Sequence, residues 1–246
     1  MHNRMMITGA GSGLGREIAL RWARDGWQLA LSDVNEAGLA ETLKMVREAG
    51  GDGFTMRCDV RDYSQLIAFA QACEEKLGGI DVVVNNAGVA SGGFFDELSL
   101  EDWDWQIAIN LMGVVKGCKA FLPLVQKSKG KIINIASVQS ELARPGIAPY
   151  TATKGAVRNL TRGMATDWAK YGLQVNAIAP GYFKTPLNQA LVDSAEFSTW
   201  LEKRTPAARW GTVDELVGAA VFLAGDASSF VNGHTLYVDG GITASL

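Results

Sequence analysis

Tyr150 and Lys154 lie four residues apart in the stretch APYTATKGAV. A helix there would place them one turn apart on the same face. A tyrosine alone is a poor base at neutral pH, because its reference pKa is about 10. A nearby lysine cation favours the phenolate and lowers the pKa of the tyrosine, which can then exchange a proton with a substrate hydroxyl. The pair predicts acid–base chemistry, although such a pair alone also fits an ordinary contact on a helix surface.

Two polar residues upstream extend this constellation. Ser137 ends a predicted strand, and its hydroxyl could bind a substrate oxygen and stabilise developing charge. Asn110 lies in the predicted helix that contains INLMG, where a polar side chain often supports a bend or binds a water. We interpret Asn110 as a link between Lys154 and solvent. These four residues argue for catalysis only as a set in one fold.

A glycine-rich stretch, TGAGSGLG, joins the first predicted strand to the first helix. Its glycines, Gly9, Gly13 and Gly15, do not have the G-x-G-x-x-G spacing, but glycine still allows a tight turn and a close approach of the backbone to a phosphate. The helix N-terminus then offers free N–H groups to an anion. The stretch predicts a phosphate site, with a purely structural turn as the alternative.

Asp33 closes the second predicted strand. This is the expected position for a carboxylate that accepts hydrogen bonds from an adenosine ribose. A carboxylate there would repel the 2′-phosphate of NADP, and neither Ser12 nor Ser32 offers a positive charge nearby. The sequence therefore predicts NAD as the cofactor and makes NADP the weaker candidate. The alternative is that Asp33 only caps the next helix.

Short aliphatic runs alternate with helical patterns along the whole chain of 246 residues, which predicts βαβ units in one domain spanning residues 1–246. The fold class is α/β, a Rossmann-type doubly wound parallel sheet of about seven strands flanked by helices, with its ligand at the carboxyl ends of the strands. Strands are predicted at 5–8, 28–33, 54–60, 80–88, 130–137, 174–180 and 234–241. Helices are predicted at 13–25, 35–50, 63–77, 100–127, 150–171 and 213–225, with an irregular segment at 181–213.

The composition is that of an ordinary globular protein, with 48% hydrophobic and 20% charged residues and a net charge of −3. The scattered basic residues predict no nucleic-acid partner, and the lack of an apolar run of about 18 residues predicts no membrane span. Three cysteines without a metal or redox spacing predict reduced thiols in a cytoplasmic protein. With only His2 and His234, we expect no metal site and no histidine-based triad.

These motifs together resemble the classical short-chain dehydrogenase/reductase family, over nearly the whole chain. The resemblance implies hydride transfer between a nicotinamide cofactor and a secondary alcohol or ketone, usually in a homotetramer. It makes Tyr150 the acid/base, and Lys154 the residue that binds the ribose and lowers the tyrosine pKa. Ser137 would position the substrate oxygen and Asn110 would hold a relay water. The implied cofactor contacts are Gly9, Ser12, Gly13, Leu14, Gly15, Asp33, Asp59, Val60, Asn86, Ala87, Gly88, Tyr150, Lys154, Pro180, Gly181, Phe183 and Thr185.

The second half of the chain resembles one group of this family, the gluconate 5-dehydrogenases, in residues 137–157, 179–185 and 200–211. This implies D-gluconate and 5-ketogluconate, or a related polyol acid, as substrates. The loop at 89–97, VASGGFFDE, is instead similar to general family members, and a broad carbonyl or 3-oxoacyl reductase is the alternative function. The contrast suggests that the two halves come from different relatives, by recombination or engineering. A cofactor sensor without turnover is disfavoured by the complete tetrad.

A substrate lid is expected over residues 183–212, where the hydrophobic periodicity is weak. Arg144, on the loop before Tyr150, or Lys184 could pair with a substrate carboxylate, and Gln139 with a hydroxyl. Both cations could equally be solvated.

Overall fold

The computed structural model describes residues 3–245 and contains one sheet of seven parallel strands. Their spatial order is β3-β2-β1-β4-β5-β6-β7. The strands are β1 Arg4–Thr8, β2 Gln28–Asp33, β3 Asp52–Arg57, β4 Val82–Asn85, β5 Lys131–Ile135, β6 Gln174–Pro180 and β7 Thr235–Val238. The predicted α/β fold class and the predicted single doubly wound sheet are confirmed.

The sheet reverses its direction of growth at β1, which pairs with β2 on one side and with β4 on the other. In such sheets a crevice opens outside the carboxyl ends of the two strands at this switch point, and ligands bind there. The glycine stretch follows β1, and Asn86, Ala87 and Gly88, which are among the implied cofactor contacts, follow β4. The topology therefore brings two sets of predicted contacts to one edge of the sheet.

Helices cover both faces of the sheet and bury two separate cores. One core holds apolar residues of α3, α5 and α6, with Phe69 and Phe121 in edge-to-face contact at 5.5 Å between ring centroids. The other core holds apolar residues of α1, α2 and α9. The helices are α1 Gly13–Arg24, α2 Glu36–Glu48, α3 Tyr63–Leu77, α4 Leu100–Asn110, α5 Met112–Ser128, α6 Ala148–Trp168, α7 Gln189–Val192, α8 Ala195–Arg204 and α9 Val213–Ala224.

The helix predicted at 100–127 is broken at Leu111 into α4 and α5. The break follows Asn110, whose side chain bonds the loop after β4 rather than its own helix. By length and composition alone the stretch Leu100–Ser128 could span a membrane, but 44% of its most apolar window is buried. Because α5 packs against α3 and β4, this stretch is a core helix of the fold.

The segment expected to be irregular, 181–213, contains the two short helices α7 and α8. An aromatic cluster of Tyr182, Phe197, Trp200 and Trp210 packs α8, with ring centroids 5.2–6.3 Å apart. Leu201 and Trp210 are buried in this small core together with Val138. Leu191 and Val192 of α7 pack against the same small core. Phe197, Trp200 and Leu201 have helical spacing within the ten residues of α8, so the expected irregularity is wrong for this part of the segment.

Candidate active site

A cavity of about 510 Å³ opens at the carboxyl ends of the strands. Of the residues predicted to be in the site, all but Gly15 and Asn110 line this cavity. It is lined by Gly9, Ser12, Gly13, Leu14, Asp33, Asp59, Val60, Asn86, Ala87, Gly88, Ser137, Tyr150, Lys154, Pro180, Gly181, Phe183 and Thr185. One crevice thus collects motifs from seven parts of the chain.

The glycine stretch is tied directly to the end of β4. The Asn86 side-chain amide donates to the carbonyls of Thr8 and Gly9, at 3.0 and 2.9 Å. The Thr8 hydroxyl accepts from the backbone N–H groups of Asn86 and Ala87, each at 3.1 Å. Gly9 has a φ of +67°, and a Cβ there would lie 2.8 Å from the Ala87 Cα. Only glycine fits this close approach.

Gly15 does not line the cavity because it packs behind the loop. A Cβ added at Gly15 would lie 2.3 Å from the Gly9 carbonyl oxygen and 2.7 Å from the Asn86 amide nitrogen. The absence of a side chain at Gly15 therefore lets α1 approach the loop closely.

We expect Gly15→Ala to displace the loop and weaken cofactor binding at least tenfold, because the new methyl group meets backbone atoms that cannot move alone. Gly163→Ala in α6 is the matched control, since a Cβ there meets no atom within 4 Å. It should bind cofactor normally and gain up to about 1 kcal/mol of stability. Calorimetric titration with NAD and NADP measures the difference; wild-type affinity in Gly15→Ala would contradict this role.

The N-terminus of α1 fits a phosphate group. Its N-cap residue, Ser12, makes no side-chain capping hydrogen bond. The N–H groups of the first turn can therefore donate to a ligand. A Cβ at Gly13 would meet its nearest atom only at 3.6 Å, on Pro186, so this end of the cavity has room. The residues present therefore fit a dinucleotide.

Asp33 holds the glycine stretch in place as well as lining the cavity. One carboxylate oxygen accepts from Gly11 N at 2.9 Å, and the other accepts from Asn35 N at 3.0 Å. The cap of α2 is Asn35, whose side chain accepts from Gly38 N, so the alternative role of Asp33 as a helix cap is wrong. Two backbone donors already stabilise the Asp33 charge.

Arginines that the sequence reading overlooked lie beside this corner. Arg61 lines the cavity and forms an ion pair with Asp59 at 2.6 Å. Hydrogen bonds from Arg61 lower the pKa of Asp59, and burial opposes them. Arg57 lies opposite Asp33 in the register of β2 and β3. These positions on and after β3 become relevant only once the strand order puts β3 next to β2.

Tyr150 lies in the first turn of α6 and faces the cavity close to Ser137. Burial raises the pKa of Tyr150, while a hydrogen bond with Ser137 and the charge of Arg144 lower it. Ser137 is buried, and its oxygen also accepts from Gln139 N at 3.2 Å. A serine and a tyrosine hydroxyl therefore converge where a reacting oxygen could sit.

Lys154 is 4% exposed and sits one turn further along α6. Its ammonium donates to the Ile135 carbonyl at 2.7 Å and lies 5.6 Å from the centroid of the Tyr150 ring. Burial lowers the pKa of Lys154 to about 8. The predicted one-turn relation of the two residues holds, with the lysine held beneath the tyrosine.

Asn110 lies outside the cavity and is completely buried. Its side-chain oxygen accepts from Val89 N at 2.8 Å, and its amide donates to Val89 O at 2.8 Å and to the Thr153 hydroxyl at 3.3 Å. The side chain therefore braces the loop after β4 against α6. Within residues 3–245, no hydrogen bond is found to the Asn110 backbone carbonyl.

The most informative cavity residue missing from the sequence-based set is Tyr182, in the middle of PGYFKT. Gln139 and Arg144, which were candidates for substrate contacts, also line the cavity, but Lys184 does not. Nothing local distinguishes Tyr182, because its orientation depends on Gln139, 43 positions upstream. Across the described residues 3–245, no group of three or more His, Cys, Asp or Glu side chains could hold a metal ion.

The comparisons with known proteins agree with this geometry. A family model described as enoyl-(acyl carrier protein) reductase matches residues 9–243. A gluconate 5-dehydrogenase of Gluconobacter oxydans is 50% identical over 99% of this chain and 95% of its own. A 5-keto-D-gluconate 5-reductase of Escherichia coli K12 is 42% identical over 98% of this chain and 96% of its own. A similar crystal structure is that of a gluconate 5-dehydrogenase from Burkholderia cenocepacia J2315 in complex with NADP and tartrate. The two sequences are 50% identical, the match covers 99% of this chain and 96% of the other, and the TM-score is 0.95.

Two expectations change. One relative matches both halves of the chain, so the comparisons give no support to a chimeric origin. The ranking of NADP below NAD is also unsupported, because a 50% identical crystallised relative binds NADP. Besides Ser12 and Ser32, this corner has neighbouring arginines, Arg57 on β3 and Arg61 after it.

The sheet order, the hydrogen bonds between the glycine stretch and the loop after β4, and the tyrosine–lysine pair of α6 occur together with matches over nearly the full chain. The chain therefore belongs to the short-chain dehydrogenase/reductase family of nicotinamide-dependent oxidoreductases.

Proposed function

We propose that this enzyme interconverts D-gluconate and 5-ketogluconate, by hydride transfer between C5 of the sugar acid and a nicotinamide cofactor. The observation that carries the proposal is the match to two curated proteins named for this reaction, each over at least 98% of the chain. The crystallised relative adds support, because it carries tartrate, a hydroxylated acid.

Tyr150 is the proposed acid/base and Ser137 the group that orients the reacting oxygen. Bound beside these two residues, a nicotinamide cofactor would supply the hydride acceptor or donor. In the oxidation direction, Tyr150 takes the proton of the C5 hydroxyl as the C–H bond breaks, and in the reduction direction it returns that proton. The Ser137 hydroxyl donates to the same oxygen and stabilises its developing negative charge.

Lys154 is proposed to bind the ribose and to lower the pKa of Tyr150. Its positive charge, buried near the phenol ring, stabilises the phenolate. Asn110 is proposed to hold the relay water through its backbone carbonyl, because Val89 and Thr153 already occupy its side-chain amide. The proton then leaves by way of Lys154 and this water.

The proposed cofactor contacts follow the cavity from the adenosine end to the nicotinamide end. Asp33 would bind the adenosine ribose and Asp59 with Val60 the adenine, while Gly9, Ser12, Gly13 and Leu14 would surround the pyrophosphate with support from Gly15. The nicotinamide end would be formed by Asn86, Ala87, Gly88, Tyr150, Lys154, Pro180, Gly181, Phe183 and Thr185.

Cofactor choice is proposed to depend on the balance between Asp33 and the arginines beside it. Asp33 disfavours a 2′-phosphate, and its two backbone hydrogen bonds and Arg57 reduce that effect. We expect Asp33→Asn to raise the ratio of kcat/KM for NADP to that for NAD about tenfold. The substitution removes the repulsion between the Asp33 carboxylate and the 2′-phosphate of NADP, which costs about 1.4 kcal/mol. Arg57→Ala should lower the same ratio. Steady-state kinetics with both cofactors measure it, and an unchanged ratio in Asp33→Asn would remove Asp33 from this choice.

The segment 183–212 is proposed to act as the substrate lid. Leu187, Asn188 and Leu191 of this segment line the cavity, and the aromatic cluster anchors α8. We further propose a homotetramer located in the cytoplasm, as the family resemblance implies. Light scattering coupled to size-exclusion chromatography measures the subunit number.

The test of the proposed function is a substrate panel with purified enzyme, followed at the absorption band of the reduced nicotinamide. The panel holds 5-ketogluconate, a 3-oxoacyl thioester and simple ketones, each with NADH and with NADPH. The highest kcat/KM on 5-ketogluconate is expected. Preference for the thioester or for simple ketones would overturn the proposal and favour the broad reductase, for which the apolar residues Val89 and Ala90 in the cavity wall argue.

A further inference from the structure

Arg144 brings an unpaired positive charge to the substrate end of the cavity. It is half-buried on the loop before α6 and lines the cavity. Its guanidinium lies 5.7 Å from the centroid of the Phe197 ring, and its one backbone hydrogen bond, to Pro145 O, is long at 3.4 Å. No ion pair of Arg144 is found within residues 3–245. The acid nearest in sequence, Glu141, pairs with Arg158 instead.

The hydroxyl of Tyr182 is oriented as a donor beside this charge. The Gln139 amide donates to the Tyr182 oxygen at 3.1 Å, so the phenolic proton is free to point elsewhere. Gln139 is 6% exposed, and its carbonyl oxygen is buried without a partner.

The charges along the cavity divide into two groups. The acidic residues that line it lie at the adenosine end, Asp33 as the last residue of β2 and Asp59 after β3, where Arg61 pairs with Asp59. At the substrate end the charged lining residues are Arg144 and Lys154, both positive. Burial raises the pKa of Tyr182, and the charge of Arg144 lowers it, as it also lowers that of Tyr150. Arg144 is thus close enough to act on both phenols.

We propose that Arg144 and the Tyr182 hydroxyl form an anion subsite that binds the substrate carboxylate, with Gln139 as the residue that positions Tyr182. The guanidinium offers several donors and a positive charge, which favour a carboxylate over a neutral hydroxymethyl group. The inference rests on the proposed function. It places the carboxylate end of the sugar acid, which is remote from the reacting C5, against Arg144 and Tyr182. It also explains how the site accepts an acid although the loop 89–97 contains no basic residue.

The test compares two ketones that differ only at this end. L-sorbose is 5-ketogluconate with a hydroxymethyl group in place of the carboxylate. We expect Arg144→Ala to raise the KM for 5-ketogluconate and to lower kcat/KM for L-sorbose much less, because only the acid loses an ionic contact. The selectivity between the two should fall about 30-fold, which is about 2 kcal/mol. Tyr182→Phe should lower it about fivefold.

Lys184→Ala is the matched control, because this lysine lies on the same segment but outside the cavity lining. Its selectivity for 5-ketogluconate over L-sorbose should equal that of the wild type. This result would show that Arg144 acts by direct contact with the carboxylate and not by a general attraction of anions to positive charge. If Arg144→Ala loses activity equally on both ketones, or if Lys184→Ala shows the same selectivity loss, the anion subsite is overturned.

A binding measurement separates this inference from the proposed function. Calorimetric titration of tartrate into the cofactor-saturated enzyme should give an affinity that Arg144→Ala weakens at least tenfold and Lys184→Ala leaves unchanged. An enzyme that turns over no 5-ketogluconate but shows this Arg144 dependence retains the subsite and loses the proposed function. Turnover of 5-ketogluconate together with tartrate binding independent of Arg144 refutes the subsite and keeps the function.

Discussion

Tyr150→Phe is expected to lower kcat/KM about 10³-fold while leaving cofactor affinity within threefold of the wild type. The phenol ring remains and preserves the packing, but the group that exchanges the substrate proton is gone, and positioned acid–base groups contribute about 10²–10⁴-fold. Steady-state kinetics and a cofactor titration on the same preparation measure both quantities.

The matched control is Tyr63→Phe, which removes the hydroxyl of an exposed tyrosine at the start of α3. It should leave both quantities unchanged. Tyr150→Phe with more than a tenth of wild-type kcat/KM would show that another group carries the proton, and the catalytic assignment would then be wrong.

Lys154→Met is expected to lower kcat/KM at least 10²-fold and at the same time to stabilise the free enzyme. Burial lowers the pKa of Lys154 from 10.5 to about 8, so the folded state disfavours the charged lysine. A shift of this size corresponds to about 3 kcal/mol. The lost hydrogen bond to Ile135 O offsets about 1 kcal/mol of it. A net gain of about 2 kcal/mol should raise Tm by about 5 °C.

The pH dependence of this stabilisation has a definite sign. Below pH 8 the lysine is charged in both the folded and the unfolded protein, and the full cost of burying the charge is present. Between about pH 8 and 10.5 the folded protein binds fewer protons than the unfolded one, so wild-type stability rises with pH relative to that of the variant. The difference in Tm should therefore be largest at neutral pH and should shrink toward pH 10.5.

Thermal unfolding of both proteins without cofactor, across this pH range, tests the prediction. Lys119→Met, on α5, is a comparison variant from another part of the fold, and it should leave activity intact. A Lys154→Met protein that is less stable than the wild type at neutral pH would mean that the buried ammonium contributes net stability rather than costing it.

The fold was largely predictable because its signal is local. Parallel strands buried on both faces are continuous apolar runs, and β2 and β6 were predicted with their observed bounds. The bounds of α3 were also reproduced, since Asp62 supplies its cap and Gly78 its end. The break at Leu111 was missed because its cause, the bond from Asn110 to Val89, joins residues that are 21 positions apart.

The cavity residues that belong to a sequence motif were predictable. Those that reach the cavity only through tertiary contacts were less so. The roles of Gly15 and Asp33 as packing and bracing residues follow from distances that no spacing encodes. Tyr182 is indistinguishable in sequence from any other tyrosine until Gln139 is seen to orient it. The cofactor preference was misjudged for a similar reason, since Arg57 flanks Asp33 only through strand pairing.

The proposed reaction transfers the hydride from C5 of D-gluconate, and a deuterium label at this carbon follows the hydride directly. D-gluconate deuterated at C5 is oxidised by the enzyme, and the reduced nicotinamide is analysed by mass spectrometry. The proposed reaction predicts one deuterium in the cofactor, none in solvent and 5-ketogluconate as product. Unlabelled reduced cofactor, with deuterium retained in an oxidised sugar acid, would place the oxidation at another carbon and contradict the account.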